Sequence, residues 1–284
     1  MKKNDRRRPE LLSLPMQVWM AVFLGLALLY IVGLSLLKSE GDLNVSAQLT
    51  GENYARILTG KYAEVLWLSV RLAAQTTLIS LALGYPFAYI MTRLSARARI
   101  WVLLLVIAPT WTNALIRIYG WKILLYANGP INSLLQALGI IRRPLKLLYT
   151  EGAVLLGMVY AMLPFVILPV YTGIERMDWK RVEAARDLGA SPLRAFFTVT
   201  LPMTLPSLLA ACVLTFLPSV GLIFLSDILG GANTVLWGNV VQDELLKSRD
   251  LPFAAALSAV LLLLTLIVIL LYRRAGGRSE EMVF

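Results

Sequence analysis

The residues best able to contact a small charged molecule are Trp111, Asn113 and Tyr119, in the run APTWTNALIRIYG, and Asp227, in LPSVGLIFLSDILGG. An aromatic face attracts a cation through the ring quadrupole, and a carboxylate attracts it by charge, so together they suit an ammonium group. Asp243 and Glu244 extend the same acidic character further along the chain. Each aromatic residue also has a structural reading, because Trp and Tyr anchor membrane interfaces. Arg71 and Arg117 are cations within apolar runs, while Glu64, Glu151 and Asp227 fall near the ends of such runs. Glu64 lies two helical turns from Arg71 on one face, which permits a water-bridged or rearranged pairing. Backbone carbonyls or an acid on another helix are the other partners open to Arg71.

Much other chemistry is excluded. The chain has no histidine, which removes the usual proton shuttle and the commonest zinc ligand, and no metal site is expected. Its one cysteine, Cys212, sits in an apolar run and reads as a small buried hydrophobe. No Gly-x-x-x-x-Gly-Lys-Ser/Thr phosphate loop occurs, so an ATP site of that type is not expected. An intramembrane enzyme would need paired aspartates, a facing Ser–Lys pair or Cys212 as nucleophile, and no such constellation is evident. No catalytic residue is assigned.

The elements that must hold these residues are membrane spans. A chain of 284 residues that is 58% hydrophobic, with mean hydropathy +0.71, is too apolar for a soluble domain of its size. It reads as an all-α, polytopic membrane protein, one transmembrane domain over 1–284. Six transmembrane helices are expected at about 16–37, 63–91, 100–118, 153–172, 205–225 and 253–272, each long enough for about 30 Å of hydrocarbon. The first is longer than a signal-peptide core and lacks a convincing cleavage site, so it is taken as a retained span. Prolines and glycines within spans, at Gly84-Tyr85-Pro86, Pro109, Pro164, Pro169, Pro206 and Pro218 to Gly221, mark backbone leaving the helical ladder beside a cavity or neighbouring helix.

Charge sets the orientation. Sixteen Lys and Arg fall on the face that carries both termini, 93–99 and 175–201, against nine on the opposite loops. The positive-inside rule then puts both termini in the cytoplasm. The formal charge of +10 is thus largely orientation signal, and no nucleic-acid partner is expected. The loop 119–150, with Arg142, Arg143 and Lys146, is more basic than an external loop should be. Within it PINSLLQALGI has the pattern of a short amphipathic helix suited to the interface.

Between the fourth and fifth spans lies the segment EAARDLGASPLRAFFTVTLP. Asp178 suits the N-cap of a helix beginning at Trp179, and Gly189 stands where a left-handed helix end requires it. Ser191 and Pro192 supply a new cap and first turn. Val182, Ala185 and Gly189 share a face, flanked by Arg181, Glu183, Arg186 and Asp187.

This segment resembles the EAA loop of permease subunits in binding-protein-dependent ABC importers. That pattern is EAA, three residues, Gly, nine residues, an aliphatic, any residue and Leu-Pro. Here it reads Glu183, Ala184, Ala185, Gly189, Val199, Leu201 and Pro202, with Val where Ile is usual. The runs LGYPFAY, PTWTNALIRIYGWKILL, EAARDLGAS and SDILGGA, in this order, are similar to the B-type permease subunits of spermidine/putrescine ABC transporters, over about residues 52–272. The resemblance implies a type I ABC importer permease-like fold in a bacterial inner membrane. It implies a cytoplasmic coupling loop at about 174–202, with Glu183, Ala184, Ala185 and Gly189 as ATPase-coupling residues and Trp111, Asn113, Tyr119 and Asp227 along the substrate pathway. The implied partners are ATP-binding cassette ATPase subunits, a second permease subunit, a periplasmic or lipid-anchored substrate-binding protein and membrane lipid. No cofactor is expected on this chain, ATP being bound by a partner subunit. Related permeases for other small organic solutes share the loop, so the solute is the less determined part.

Overall fold

The computed structural model describes residues 8–275, with side chains from residue 14. The basic residues before position 8 and after 275 that enter the charge count lie outside the described residues. The chain begins with α1 (Arg8–Ser35), an antiparallel hairpin of β1 (Leu37–Gly41) and β2 (Asn44–Leu49), α2 (Glu52–Ile57) and α3 (Gly60–Thr92). There follow α4 (Ala96–Trp111), α5 (Ala114–Leu125), α6 (Pro130–Ala137), α7 (Glu151–Glu175), α8 (Trp179–Asp187) and α9 (Pro192–Ala195). A π-turn at Phe196–Thr200 leads into α10 (Leu201–Val220), then α11 (Ile223–Leu225), a second π-turn at Ser226–Gly230 and a 3-10 turn at Gly231–Asn233. α12 (Trp237–Leu246) and α13 (Leu251–Arg274) complete the chain.

Among the described residues five helical stretches are long and apolar enough to cross a membrane: Leu14–Ser35, Gly60–Thr92, Glu151–Glu175, Pro192–Val220 and Leu251–Arg274. A sixth arises if α4 is joined to the stretch Ala114–Ala137, which meets it at 96°. The bend has a local cause. Pro109 has no N–H to continue the ladder, Thr112 turns to an extended conformation, and the Asn113 side chain then caps α5 by accepting from the Leu115 amide at 2.8 Å. The apolar run 100–118 is therefore divided at 112–113.

The π-turn before α10 has a similar origin. Pro202 removes a donor in the first turn of α10, and the Leu201 amide reaches back five residues to the Phe196 carbonyl. In the second π-turn the Gly231 amide does the same to Ser226.

The residues fall into two compact units. One comprises the described residues up to 63 together with 241–264. In it Asp42 and Leu43, both at positive φ, make the two-residue turn of the hairpin. Buried Asn53 donates to the Ser35 and Leu37 carbonyls at 2.9 Å each, tying α2 to the end of α1. Arg56 pairs with Asp250 at 2.8 Å and stacks 3.7 Å over the Phe253 ring.

The other unit comprises 64–240 and the described residues from 265 on. Its centre is α7. On one side Val154 and Met158 meet Leu225, Leu229, Leu72 and Ile118. Further along, Val166, Ile167, Val170 and Ile174 meet Tyr85, Ala88 and Met91 of α3 and Ala211 of α10. Lipid tails are as apolar as leucine, so close contact between backbones has to hold such helices together. The small residues are placed accordingly: a Cβ on Gly84 would stand 2.7 Å from Val166 Cγ1, one on Gly157 2.6 Å from Leu229 Cδ1, and one on Gly173 would strike Ser207. Several buried hydroxyls are turned back on the backbone or onto a neighbour, as where Ser69 accepts from the Trp237 amide at 2.8 Å, whereas those of Thr76, Ser80 and Thr215 have no hydrogen-bond partner among the described residues.

Candidate functional site

The segment between α7 and α10 is built as its sequence dictates. Asp178 caps α8 by accepting from the Lys180 amide at 3.2 Å. Gly189 ends it at φ +88°, with the Gly189 amide on the Arg186 carbonyl at 2.9 Å and the Ala190 amide on the Ala185 carbonyl at 3.0 Å. Ser191 then caps α9 by accepting from the Arg194 amide at 3.3 Å, with Pro192 in the first turn. The result is helix, bend, helix.

No residue of α8 is buried. Glu183 and Ala184 are exposed, whereas Val182 and Ala185 are half-buried, so the face they share is turned toward the protein. Glu183, Gly189 and Pro192 border a shallow concavity of about 500 Å³ together with Arg186, Asp187 and Ser191. Beside it stand Leu188 at 89% exposure and Leu193 at 73%. Leu188 is a candidate contact that the sequence reading passed over. The signal was available: a large aliphatic residue placed directly before a helix-ending glycine in a charged segment.

Aromatic contacts fasten this segment to the spans. Arg93, at the end of α3, lies 4.2 Å over the Trp179 ring and donates to the Tyr89 hydroxyl at 3.1 Å. Tyr89 lies against both Trp179 and Phe196, and Phe196 meets Tyr85 edge-on at 5.7 Å between centroids. The Tyr85 hydroxyl bonds Thr204 at 2.9 Å. At the base of α7, Arg99 pairs with Glu175 at 2.7 Å.

The pathway candidates divide between two places. Trp111 ends α4 and is 76% exposed, Asn113 is occupied as the cap of α5, and Tyr119 is half-exposed on α5 with Lys122 Nζ 5.7 Å from its ring centre. Asp227 lies in the second π-turn, exposed, and accepts from Asn239 Nδ2 at 2.5 Å. α5 packs against that π-turn, so the two groups share one end of the unit. Asp243 and Glu244 are engaged elsewhere, with Lys247 at 2.7 Å and the Tyr62 hydroxyl at 2.8 Å.

Arg71 takes its partner from another helix, Glu151 at the start of α7, rather than from Glu64. Arg117 is placed differently. Its Nε is buried without a hydrogen bond, at a cavity of about 470 Å³ walled by Leu83, Phe87, Pro109, Tyr160 and Pro164.

Residues 80–278 match the family described as binding-protein-dependent transport system inner membrane component. The chain is 44% identical over 240 residues to the spermidine/putrescine transport system permease protein PotB of Escherichia coli K12, covering 84% of this chain and 87% of that protein. It is 42% identical over 256 residues to PotB of Salmonella typhimurium LT2, covering 90% and 89%. Among solved structures, a bacterial ABC transporter involved in the import of the acidic polysaccharide alginate aligns with TM-score 0.73 at 16% identity, over 95% of this chain and 97% of that one. The inward-facing MetNI methionine ABC transporter aligns with TM-score 0.56 at 15% identity, over 80% and 97%. The two structures share the fold, that of the type I ABC importer permeases.

Proposed function

The chain belongs to the family of binding-protein-dependent transport system inner membrane components, and from that premise we propose that it forms part of the translocation path for polyamines of the spermidine/putrescine class. The observation that carries the solute class is the identity of 42–44% with PotB proteins along most of both chains. In this reading a second permease subunit completes the path, a periplasmic or lipid-anchored binding protein delivers the solute, and ATP-binding cassette subunits hold the ATP. Both termini and α8 face the cytoplasm, where those subunits dock.

Coupling runs through α8. An ATPase cleft grips the exposed face with Glu183, Ala184 and Leu188, while the aromatic contacts of Trp179 and Phe196 carry its displacement to α3 and α10. The Gly189 bend keeps α8 short, so a small cleft suffices. Two states of the spans alternate, each favoured by a different ligand: solute-loaded binding protein for one, the nucleotide-free ATPase for the other. Trp111 and Asp227 meet the ammonium groups of the solute.

A second reading, the same import role for another small organic solute, draws on Arg117 at its apolar cavity, a poor setting for a polycation. Uptake of radiolabelled spermidine and putrescine decides, in cells lacking their own polyamine importers and expressing this chain with its ATPase, second permease and binding protein. ATP-dependent uptake that is lost with Glu183→Lys supports both the coupling and the solute class. A complex that assembles and hydrolyses ATP but takes up neither polyamine discards the solute class.

A further inference from the structure

The segment 119–150 contains Lys122, Arg142, Arg143 and Lys146 and no acidic residue. Among the described residues none of these four cations is in an ion pair. Arg142, Arg143 and Lys146 are exposed. Exposed aliphatic side chains precede and adjoin them: Leu134 at 60%, Leu138 at 63%, Ile140 at 65% and Leu145 at 44%. The patch is ordered. Buried Asn132 donates to the Leu145 carbonyl at 3.0 Å and accepts from the Leu145 amide at 2.9 Å, which holds the basic stretch beside α6. Ile131, Asn132, Leu135 and Leu148 are turned inward, and the aliphatic residues left outside are Leu134 on α6 and those just beyond it.

The direction of the helices adds to this. The stretch Ala114–Ala137 meets α4 at 96°, so if α4 crosses the bilayer the stretch runs broadly parallel to its plane; α5 is packed among the spans through Ile118 and Leu125, and α6, with only Asn132 buried, is the part left at the surface. Apolar side chains at that level enter the boundary between headgroups and acyl chains, and unpaired cations beside them meet phosphate. We propose that residues 130–149 form an interfacial clasp that binds anionic phospholipid headgroups through Arg142, Arg143 and Lys146, with Leu134, Leu138 and Ile140 set into the acyl boundary. Such a clasp accounts for a basic loop on the face that the positive-inside rule would leave poor in cations. The exposed leucines and isoleucine favour a lipid surface over a soluble protein as the occupant.

The proposal rests on the multi-pass topology and not on the solute, and its test needs no transport. The complex is purified in detergent, equilibrated with equimolar phosphatidylethanolamine and phosphatidylglycerol, and its retained lipids are counted by native mass spectrometry. The wild type is expected to retain phosphatidylglycerol in severalfold excess. R142Q/R143Q/K146Q is expected to lose most of that excess, and the charge-keeping R142K/R143K/K146R to preserve it, which separates loss of binding from loss of folding. Neutralising three cations on the other face, Arg97, Arg176 and Arg194, is expected to leave most of it. Equal excess in wild type and R142Q/R143Q/K146Q overturns the proposal, as does equal loss in the two neutralised triples. Weaker capture of the substrate-binding protein by R142Q/R143Q/K146Q with lipid retention unchanged would assign the patch to that protein instead.

Discussion

The Arg93 guanidinium lies 4.2 Å over the Trp179 ring, so the residue that follows α3 and the first turn of α8 touch through a cation and an aromatic face. Contacts of this kind contribute about 0.5–1 kcal/mol when exposed and about 2 when desolvated. Trp179 also lies against Tyr89, so its removal loosens α8 at the end nearer the spans. Trp179→Ala is expected to lower substrate-stimulated ATP hydrolysis by the reconstituted complex severalfold while basal hydrolysis persists. Arg93→Gln should do the same to a smaller extent. Unchanged stimulation in Trp179→Ala would show that α8 transmits through some other contact.

Gly189 offers a cleaner separation of strain from space. Its φ is +88°, and nothing lies within 4 Å of where a Cβ would be. A substitution there meets no clash, only the cost of a left-handed conformation, about 1–2 kcal/mol for most residues and less for Asn. Gly189→Val should reduce stimulated ATP hydrolysis markedly and Gly189→Asn only slightly, both with normal membrane insertion. Equal loss in the two would point to the glycine surface itself, pressed against a partner, and not to its backbone.

At Gly84 space is the issue. A Cβ there would stand 2.7 Å from Val166 Cγ1, inside the packed contact of α3 with α7. Overpacking of this kind typically costs about 1–3 kcal/mol. Gly84→Ala is expected to lower the thermal midpoint of the detergent-solubilised protein, and Val166→Ala in the same chain to restore much of it. Absence of rescue would mean that the helices separate rather than compress.

For the solute path the expected effects fall on affinity. Asp227→Asn and Trp111→Ala should each raise the KM for spermidine uptake severalfold, with the charge-removing substitution the more sensitive to solute valence. Asp227 also holds Asn239 at 2.5 Å, so Asn239→Ala is the control for a local structural effect. If Asn239→Ala reproduces the KM change, the carboxylate acts by positioning the turn.

Much of this could be read from the residues because it is local. The caps at Asp178 and Ser191 and the bend at Gly189 follow from single side chains and their immediate neighbours, and α1, α3, α7, α10 and α13 follow from runs of apolar residues long enough to span a bilayer. What was not legible depends on partners distant in sequence or on faint signals. Arg71 could have answered to Glu64 nearby, and only the packing of α3 against α7 brings Glu151 to it instead. The hairpin at 37–49 is short and turns through Asp42 and Leu43, with its glycine at 41 and not at either central position. The bend after Pro109 was legible as a break but not as a change of direction, because proline fixes where the ladder fails and not where the chain goes next.

The π-turn at Phe196–Thr200 places one more residue in its turn than an α-helix would. Each residue of a helix rotates the chain by about 100°, and the wider turn absorbs that rotation, because the Leu201 amide closes on Phe196 across five residues and not four. If the segment kept that residue but ran as unbroken α-helix, Thr204 would swing away from the Tyr85 hydroxyl and Ser207 from the notch at Gly173. The π-turn thus acts as a torsional setting, holding the side of α10 that meets α3 and α7 in place.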